Sequence, residues 1–188
     1  MKTDADSVES DLRRFVSGEV LFDDISRTLF STAACMYRIR PLGVVVPKSI
    51  EDVAQVARYC NERGIPITSR GAGTSLAGQS IGSGIVLAFN KYFRHIKDID
   101  PENRTATVEA GVTLNDLNKS ASKHGLMFGP DPSSGKQCVI GGMVGTNAAG
   151  AHTVKYGATK DNIAGLKVIT ANGELHSFSE KSEDDLTG

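Results

Sequence analysis

Several features that would assign this sequence to a specialised class are missing. There is no Trp, and the three cysteines, Cys35, Cys60 and Cys138, are odd in number and lack a Cys-x-x-Cys spacing. A disulfide framework and a zinc site are therefore not expected, nor is any other metal site, and a reduced, cytoplasmic setting is the default. Each cysteine reads as a small buried apolar side chain. An excess of one charge is also missing. Lys and Arg number 21, Asp and Glu 22, for a formal net charge of -1. Nucleic acid and charged membrane surfaces are thus not expected partners. No apolar run approaches the ~20 residues that span a bilayer. Met1-Lys2-Thr3-Asp4-Ala5-Asp6 leads into charged sequence without an apolar core, unlike a signal peptide.

What is present is an ordinary soluble composition, 39% hydrophobic and 23% charged, over 188 residues. That length suits one domain or two small subdomains. Most of the 20 glycines fall in two windows, 64–84 and 129–157. Such concentration suggests two loops where backbone approaches a ligand. In the first window an apolar run, Ile65-Pro66-Ile67, meets the polar stretch Arg70-Gly71-Ala72-Gly73-Thr74-Ser75-Leu76-Ala77-Gly78-Gln79. Gly71, Gly73 and Gly78 permit positive φ and close approach. Successive N–H groups in such a loop can converge on an anion. Thr74 and Ser75 add hydroxyls, and Arg70 a planar cation. The ensemble suits a pyrophosphate. It has neither the P-loop spacing nor the small third residue of a Rossmann fingerprint, and no amphipathic helix follows it.

Along the chain, residues 1–6 are expected to be disordered. A short helix is expected over Ser7–Val16 with Ser7 as N-cap, and another around Asp24–Leu29. Ala33–Pro41 reads as irregular, with Arg38 and Arg40 as surface cations able to reach an anion. Gly43–Val46 reads as a buried strand. Ser49 and Asp52 form a capping pattern ahead of Val53, Val56, Ala57 and Cys60 on one helical face. Gly64 stops that helix, and Pro66–Thr68 is the next strand, giving a parallel βαβ unit with the glycine loop at its carboxyl end. Ile85–Phe89, His95–Ile99 and Thr105–Ala110 are strands, the last two paired. Thr113 caps a helix to about Lys123. Leu166–Thr170 and Glu174–Phe178 form a hairpin about Asn172-Gly173. Residues 179–188 are expected to fray.

In the second window, Gly129-Pro130-Asp131-Pro132-Ser133-Ser134 cannot be helical because its prolines fix φ and lack donors. Val139–Gly150 is almost all small residues. It reads as backbone lying flat against a planar ligand, with tight helix packing as the alternative. Ala151–Thr159 continues as loop. Of the four histidines, His95 and His176 read as strand residues and His124 as a helix end. His152, beside the small-residue stretch, is the one to test for a role near a ligand.

Taken together, five blocks resemble the FAD-linked oxidase family, the vanillyl-alcohol oxidase or p-cresol methylhydroxylase type. They are Pro41–Pro47, Arg70–Gln79, Phe128–Pro132, Ile140–Met143 and Tyr156–Asn162. Within it the sequence is most similar to the glycolate-oxidase and D-lactate-dehydrogenase branch, over roughly residues 20–188. The resemblance implies an α+β fold in two subdomains, the first around a small parallel βαβ sheet and the second mainly antiparallel, with FAD between them. Divisions are expected at 1–30, a helical lead-in, 31–90 and 91–188. By position, Arg70, Gly71, Ala72, Gly73, Thr74, Ser75, Gly78 and Gln79 would hold the pyrophosphate. Pro130, Asp131, Ser134, Ile140, Gly141, Gly142, Gly145, Thr146, Asn147 and Gly150 would run along the ribityl chain and flavin, with His152, Tyr156 and Gly157 near the same groove.

Three departures qualify the resemblance. Thr74 stands where some members carry a His that bonds FAD covalently, so non-covalent FAD is expected. Ser31-Thr32-Ala33-Ala34-Cys35 lacks the acidic residue of close relatives. The chain also stops where family enzymes continue into the rest of the FAD domain and a substrate-binding cap. The base and the carboxylate clamp come mostly from that cap, so no catalytic residue is assigned. The resemblance implies hydride transfer from a small 2-hydroxy acid to FAD in the whole enzyme, with this fragment inactive alone and prone to dimerise. The competing readings are a stand-alone flavin- or nucleotide-binding module, and an enzyme like UDP-N-acetylenolpyruvoylglucosamine reductase.

Overall fold

The computed structural model describes residues 5–179, so the terminal expectations for 1–4 and 180–188 lie outside the described residues. Its elements are α1 (Ala5–Phe15), β1 (Glu19–Leu21), α2 (Asp24–Leu29), β2 (Gly43–Val46), α3 (Ile50–Glu62), β3 (Ile67–Arg70), β4 (Ile85–Ala88), β5 (Ile96–Asp100), β6 (Thr105–Val108), α4 (Leu114–Ala121), α5 (Ile140–Thr146), α6 (Thr153–Tyr156), β7 (Gly165–Ile169) and β8 (Leu175–Ser179). Two compact units result. The described residues up to Tyr92 join Val168–His176 in the first. Phe93–Lys167 and the described residues from Ser177 make the second.

The first unit is built on a four-stranded sheet in the order β1-β2-β4-β3. β1 runs antiparallel to β2, while β2 and β3 both run parallel to β4. Every residue of β2 and β4 is buried, as in parallel sheets covered on both faces. Val44, Val46, Val86 and Ala88 form one core cluster, packed by Leu21, Phe30 and Tyr92. α3 buries Val53, Val56, Ala57 and Cys60 along one face. Burial pushes the Cys60 thiol up to about 12, as for a cysteine that acts as a small hydrophobe.

Ser49 caps α3 as its sequence pattern implies, its side chain accepting from the Asp52 N–H at 3.0 Å. Asp52 does more than a capping residue. It is 2% exposed, and its carboxylate accepts from the Lys48 N–H at 2.8 Å and from both the N–H and the hydroxyl of Ser17.

The second unit has a smaller core of Val112, Leu114, Leu117, Cys138, Ile140 and Met143. β5 and β6 pair antiparallel with an irregularity between Ile96 and Asp98. Thr113 caps α4, accepting from the Asp116 N–H at 3.0 Å. β7 and β8 form the expected hairpin, with Gly173 at φ +79 in its turn; the tip, Val168–His176, belongs to the first unit.

Four local expectations are corrected. Ser7 lies inside α1 instead of capping it, and Ala5 and Asp6, expected to be disordered, are helical. β2 and β3 are parallel, as the βαβ reading implies, with β4 lying between them. Over 139–150 the flat backbone gives way to the alternative, a tightly packed helix, α5, and the loop expected over 151–159 contains α6. Glycine disfavours helix locally, and tertiary packing overrides that preference here.

Candidate functional site

β3 ends on Arg70, and the chain then leaves regular structure until β4. This loop begins at the carboxyl end of a parallel strand, where ligands gather in open α/β sheets. Gly73 and Gly78 have φ of +71° and +84°, a region that costs other L-residues about 1–2 kcal/mol. Among the described residues, no main-chain N–H from Ala72 to Gln79 donates a hydrogen bond within the protein. A run of free N–H groups about positive-φ glycines makes a concavity for an anion. Directly after it, the Ser80 hydroxyl is buried without a partner among the described residues. A buried orphan of this kind calls for an explanation, and a hydrogen-bonding ligand or water is one. On these grounds the loop fits a pyrophosphate.

Arg70 works differently from the outward fork that its residue type suggests. Its Nη1 donates to the carbonyls of Thr32 (2.8 Å), Ser80 (3.2 Å) and Phe30 (3.4 Å), and its guanidinium lies 5.1 Å from the Phe30 ring centroid. Burial lowers its pKa, and nearby Cys35 pulls the other way. The side chain therefore ties both ends of the loop to the segment after α2. That segment braces the loop twice more. The Ala34 N–H donates to the Gly73 carbonyl at 2.9 Å, and the Tyr37 ring lies 3.2 Å from where a Cβ on Gly78 would stand. Within the loop, the Ser75 hydroxyl donates to the Gln79 side chain. Arg38 and Arg40 reach protein groups: Arg38 Nε donates to the Ser31 hydroxyl, and Arg40 pairs with Asp24. Ala34, Tyr37 and Ser80 were not singled out from sequence. The only signal was the proximity of Ser80 to Gln79.

The second cluster lies wholly in the second unit. Ile140 is buried in its core, and a Cβ on Gly141 would meet the Ala110 carbonyl oxygen at 2.9 Å. Those two residues pack α5. Gly142 and Gly145 are its open positions: among the described residues, only Val139 comes within 4 Å of a Cβ on the former and none comes near the latter. The Thr146 hydroxyl turns back to the Gly142 carbonyl. Asn147 ends the helix at φ +46, its side-chain oxygen accepting from the Lys160 N–H.

The turn 129–134 packs on the segment 150–157. A Cβ at Gly150 would lie 2.0 Å from the Asp131 carbonyl oxygen, and one at Gly129 would lie 2.6 Å from Tyr156 Cβ. His152 donates its N–H to Asp131 Oδ1 at 2.9 Å, and its Nδ1 lies 2.6 Å from Oδ2. The Tyr156 ring stands edge-on to the imidazole, with centroids 6.2 Å apart. Gly157 follows at φ +76, beside the Asp161 carboxylate. Asp131, Gly150, His152, Tyr156 and Gly157 are thus brought together. Pro130 is fully buried beside them, and the Ser134 carbonyl accepts from the N–H groups of Gln137 and Cys138.

The other histidines stand apart from this cluster. His95 pairs with Glu109, His176 with Glu174, and His124 closes the short helical turn after α4. No helix among the described residues is long and apolar enough to cross a membrane. No metal-binding group of His, Cys, Asp or Glu occurs among them.

Comparison with known proteins brings a family to this geometry. The family described as "FAD binding domain" matches residues 41–179. The glycolate oxidase subunit GlcD of Bacillus subtilis (strain 168) is 38% identical over 178 residues, covering 92% of this chain and 38% of that protein. A D-lactate dehydrogenase of Anaerostipes hadrus is 39% identical over 156 residues, covering 81% of this chain and 32% of that protein. The structure of 6-hydroxy-D-nicotine oxidase from Arthrobacter nicotinovorans superposes with a TM-score of 0.77 at 30% identity, over 89% of this chain and 37% of that one. The chain spans well under half the length of each of these relatives.

Proposed function

The chain belongs to the FAD binding domain family, and from that premise we propose that it is the FAD-holding part of a flavin-dependent oxidoreductase acting on a small 2-hydroxy acid such as lactate or glycolate. The observation that carries the reading is the loop Gly71–Gln79, with positive φ at Gly73 and Gly78 and free N–H groups from Ala72 to Gln79. Those groups would hold the two phosphates, with the Thr74 and Ser75 hydroxyls beside them and Arg70 fixing the loop from behind. Thr74 has no nucleophilic ring nitrogen, so the cofactor is held without a covalent bond there. Gly142 and Gly145 would leave α5 bare toward the ribityl and flavin portions. When bound, the flavin supplies the redox chemistry, taking a hydride from the carbon that bears the substrate hydroxyl. The substrate class is taken from relatives that are a glycolate oxidase subunit and a D-lactate dehydrogenase. A cytoplasmic location and a homodimer of this chain complete the proposal. Three free cysteines favour the first, and exposed Ile25, Leu29, Met36 and Leu76 favour the second.

Thermal unfolding with FAD, FMN and UDP tests the reading. At a hundred times its dissociation constant FAD adds ~2.7 kcal/mol to the folded state, roughly 5–10 °C in midpoint for a chain of this size. FMN, which lacks the adenylate half, and UDP, which shares only the diphosphate with FAD, should shift it much less. Gly73→Val, which puts a branched side chain at positive φ against Arg70, should remove the FAD shift with little change in circular dichroism. No shift with FAD would overturn the proposal.

A further inference from the structure

Two histidines of the second unit are gripped by a carboxylate at both the main chain and the ring. At His95 a single oxygen, Glu109 Oε2, takes the N–H at 2.9 Å and lies 2.8 Å from Nδ1, while Lys97 approaches Oε1 at 3.5 Å. At His152 the two oxygens divide the work: Asp131 Oδ1 takes the N–H at 2.9 Å and Oδ2 meets Nδ1 at 2.6 Å. Both carboxylate oxygens thus face one residue. Their carrier is pinned as well, since Asp131 stands between Pro130 and Pro132 and its carbonyl packs on Gly150.

The chemistry of this grip fixes a tautomer. An ionised carboxylate can only accept, so Nδ1 carries the proton and a neutral imidazole presents Nε2 as a bare acceptor. The His152 side chain is 62% exposed, and Nε2 has no partner among the described residues. The Tyr156 ring, with Lys155 over it, limits how the imidazole can turn. An acceptor held at one angle in a cluster that otherwise offers carbonyls and bare glycine suits a ligand with O–H or N–H donors. The ribityl chain and the flavin ring of FAD carry both.

We propose that His152 Nε2 accepts a hydrogen bond from the ribityl–flavin half of FAD, and that Asp131 is the positioning residue that holds the single proton of the neutral ring on Nδ1 and so leaves Nε2 as the acceptor. The inference rests on the FAD reading above. One neutral hydrogen bond corresponds to roughly five- to tenfold in affinity.

The experiment measures dissociation constants for FAD and for ADP, which has the pyrophosphate and adenosine but no ribityl or flavin. His152→Ala should weaken FAD five- to tenfold and leave ADP unchanged. Asp131→Asn places an amide N–H against Nδ1, which moves the ring proton to Nε2. It should weaken FAD as much as His152→Ala, and the double variant should be no worse than either. His152→Gln, which returns an acceptor near the position of Nε2, should recover part of the loss. His95→Ala, which breaks the similar grip at Glu109, should change nothing. Nitrogen chemical shifts of the ring, read without cofactor at a pH where the ring is neutral, should show the Nδ1–H form in the unsubstituted chain and the Nε2–H form in Asp131→Asn.

Equal losses for FAD and ADP in His152→Ala would mean a structural role and overturn the inference, as would undiminished FAD affinity. An Nε2–H imidazole in the unsubstituted chain would overturn it without reference to any ligand. Failure of the unsubstituted chain to bind FAD or ADP would instead remove the FAD reading, and this inference with it.

Discussion

Asp52 holds Ser17 and Lys48 from the first turn of α3, and every oxygen contact it makes is to a donor. Burial alone would raise its pKa. The hydrogen bonds from Lys48 and Ser17 outweigh that, and the carboxyl titrates below its ordinary value. A carboxyl with a lowered folded pKa contributes stability above its unfolded value near 3.9, and that contribution is lost as pH falls through the folded value. The thermal midpoint should therefore drop below about pH 4, and Asp52→Asn should be less stable at pH 7 yet have a flatter acid limb. A pH profile of thermal unfolding from 7 to 3 checks this; parallel limbs for the two proteins would refute it. The residue also marks a limit of sequence reading. Ser49 and Asp52 announced a helix start correctly, because a cap is local. The bond to Ser17, 35 positions away, left no trace in spacing. Arg70 taught the same lesson at the candidate site, where a cation beside glycines suggested an outward fork and the carbonyls of Phe30, Thr32 and Ser80 draw it inward.

At the scale of elements, α3 and α4 were legible because apolar residues recur at helical spacing behind a capping hydroxyl. α5 was not, since Ile140–Thr146 holds three glycines and no apolar stripe long enough to count. Its glycines differ in what surrounds them, and that yields a paired prediction. A methyl at Gly141 would stand 2.7 Å from Ala110 Cβ, so Gly141→Ala should cost about 1–3 kcal/mol through overpacking. A methyl at Gly145 meets none of the described residues within 4 Å. Gly145→Ala should gain up to about 1 kcal/mol of helix propensity, and bulkier residues there should weaken FAD without unfolding the chain. Thermal midpoints with and without FAD separate the two positions. Destabilisation of equal size at both would mean that α5 is constrained on all sides.

At the scale of the molecule, the strand sequence β2–α3–β3 was read correctly as a parallel βαβ unit, and β4 enters between its two strands. Neighbour choice in a parallel sheet depends on segments far apart in the chain, and hydrophobic runs alone do not encode it. The proposed homodimer belongs to this scale. Ile25 and Leu29 project from α2, which buries none of its residues, and Met36 is 87% exposed. Light scattering across a concentration series should show mass rising toward twice 19.9 kDa, and Leu29→Glu should restore the monomer. A constant monomer mass at high concentration would refute the dimer.

The division of the chain also carries a consequence for its synthesis. The tip of the β7–β8 hairpin belongs to the first unit. Gly173 seats so closely on α3 that a Cβ would lie 2.5 Å from the Ala54 carbonyl oxygen, and Arg58 Nε donates to the Asn172 carbonyl at 3.5 Å. A ribosome adds about 5–20 residues per second. Several seconds therefore separate the emergence of Tyr92 from that of Val168. For that interval the nascent first unit has its sheet but not the hairpin tip that covers this face of α3. Chaperones that scan nascent chains would meet the face uncovered, and slow codons within the intervening stretch would lengthen its exposure.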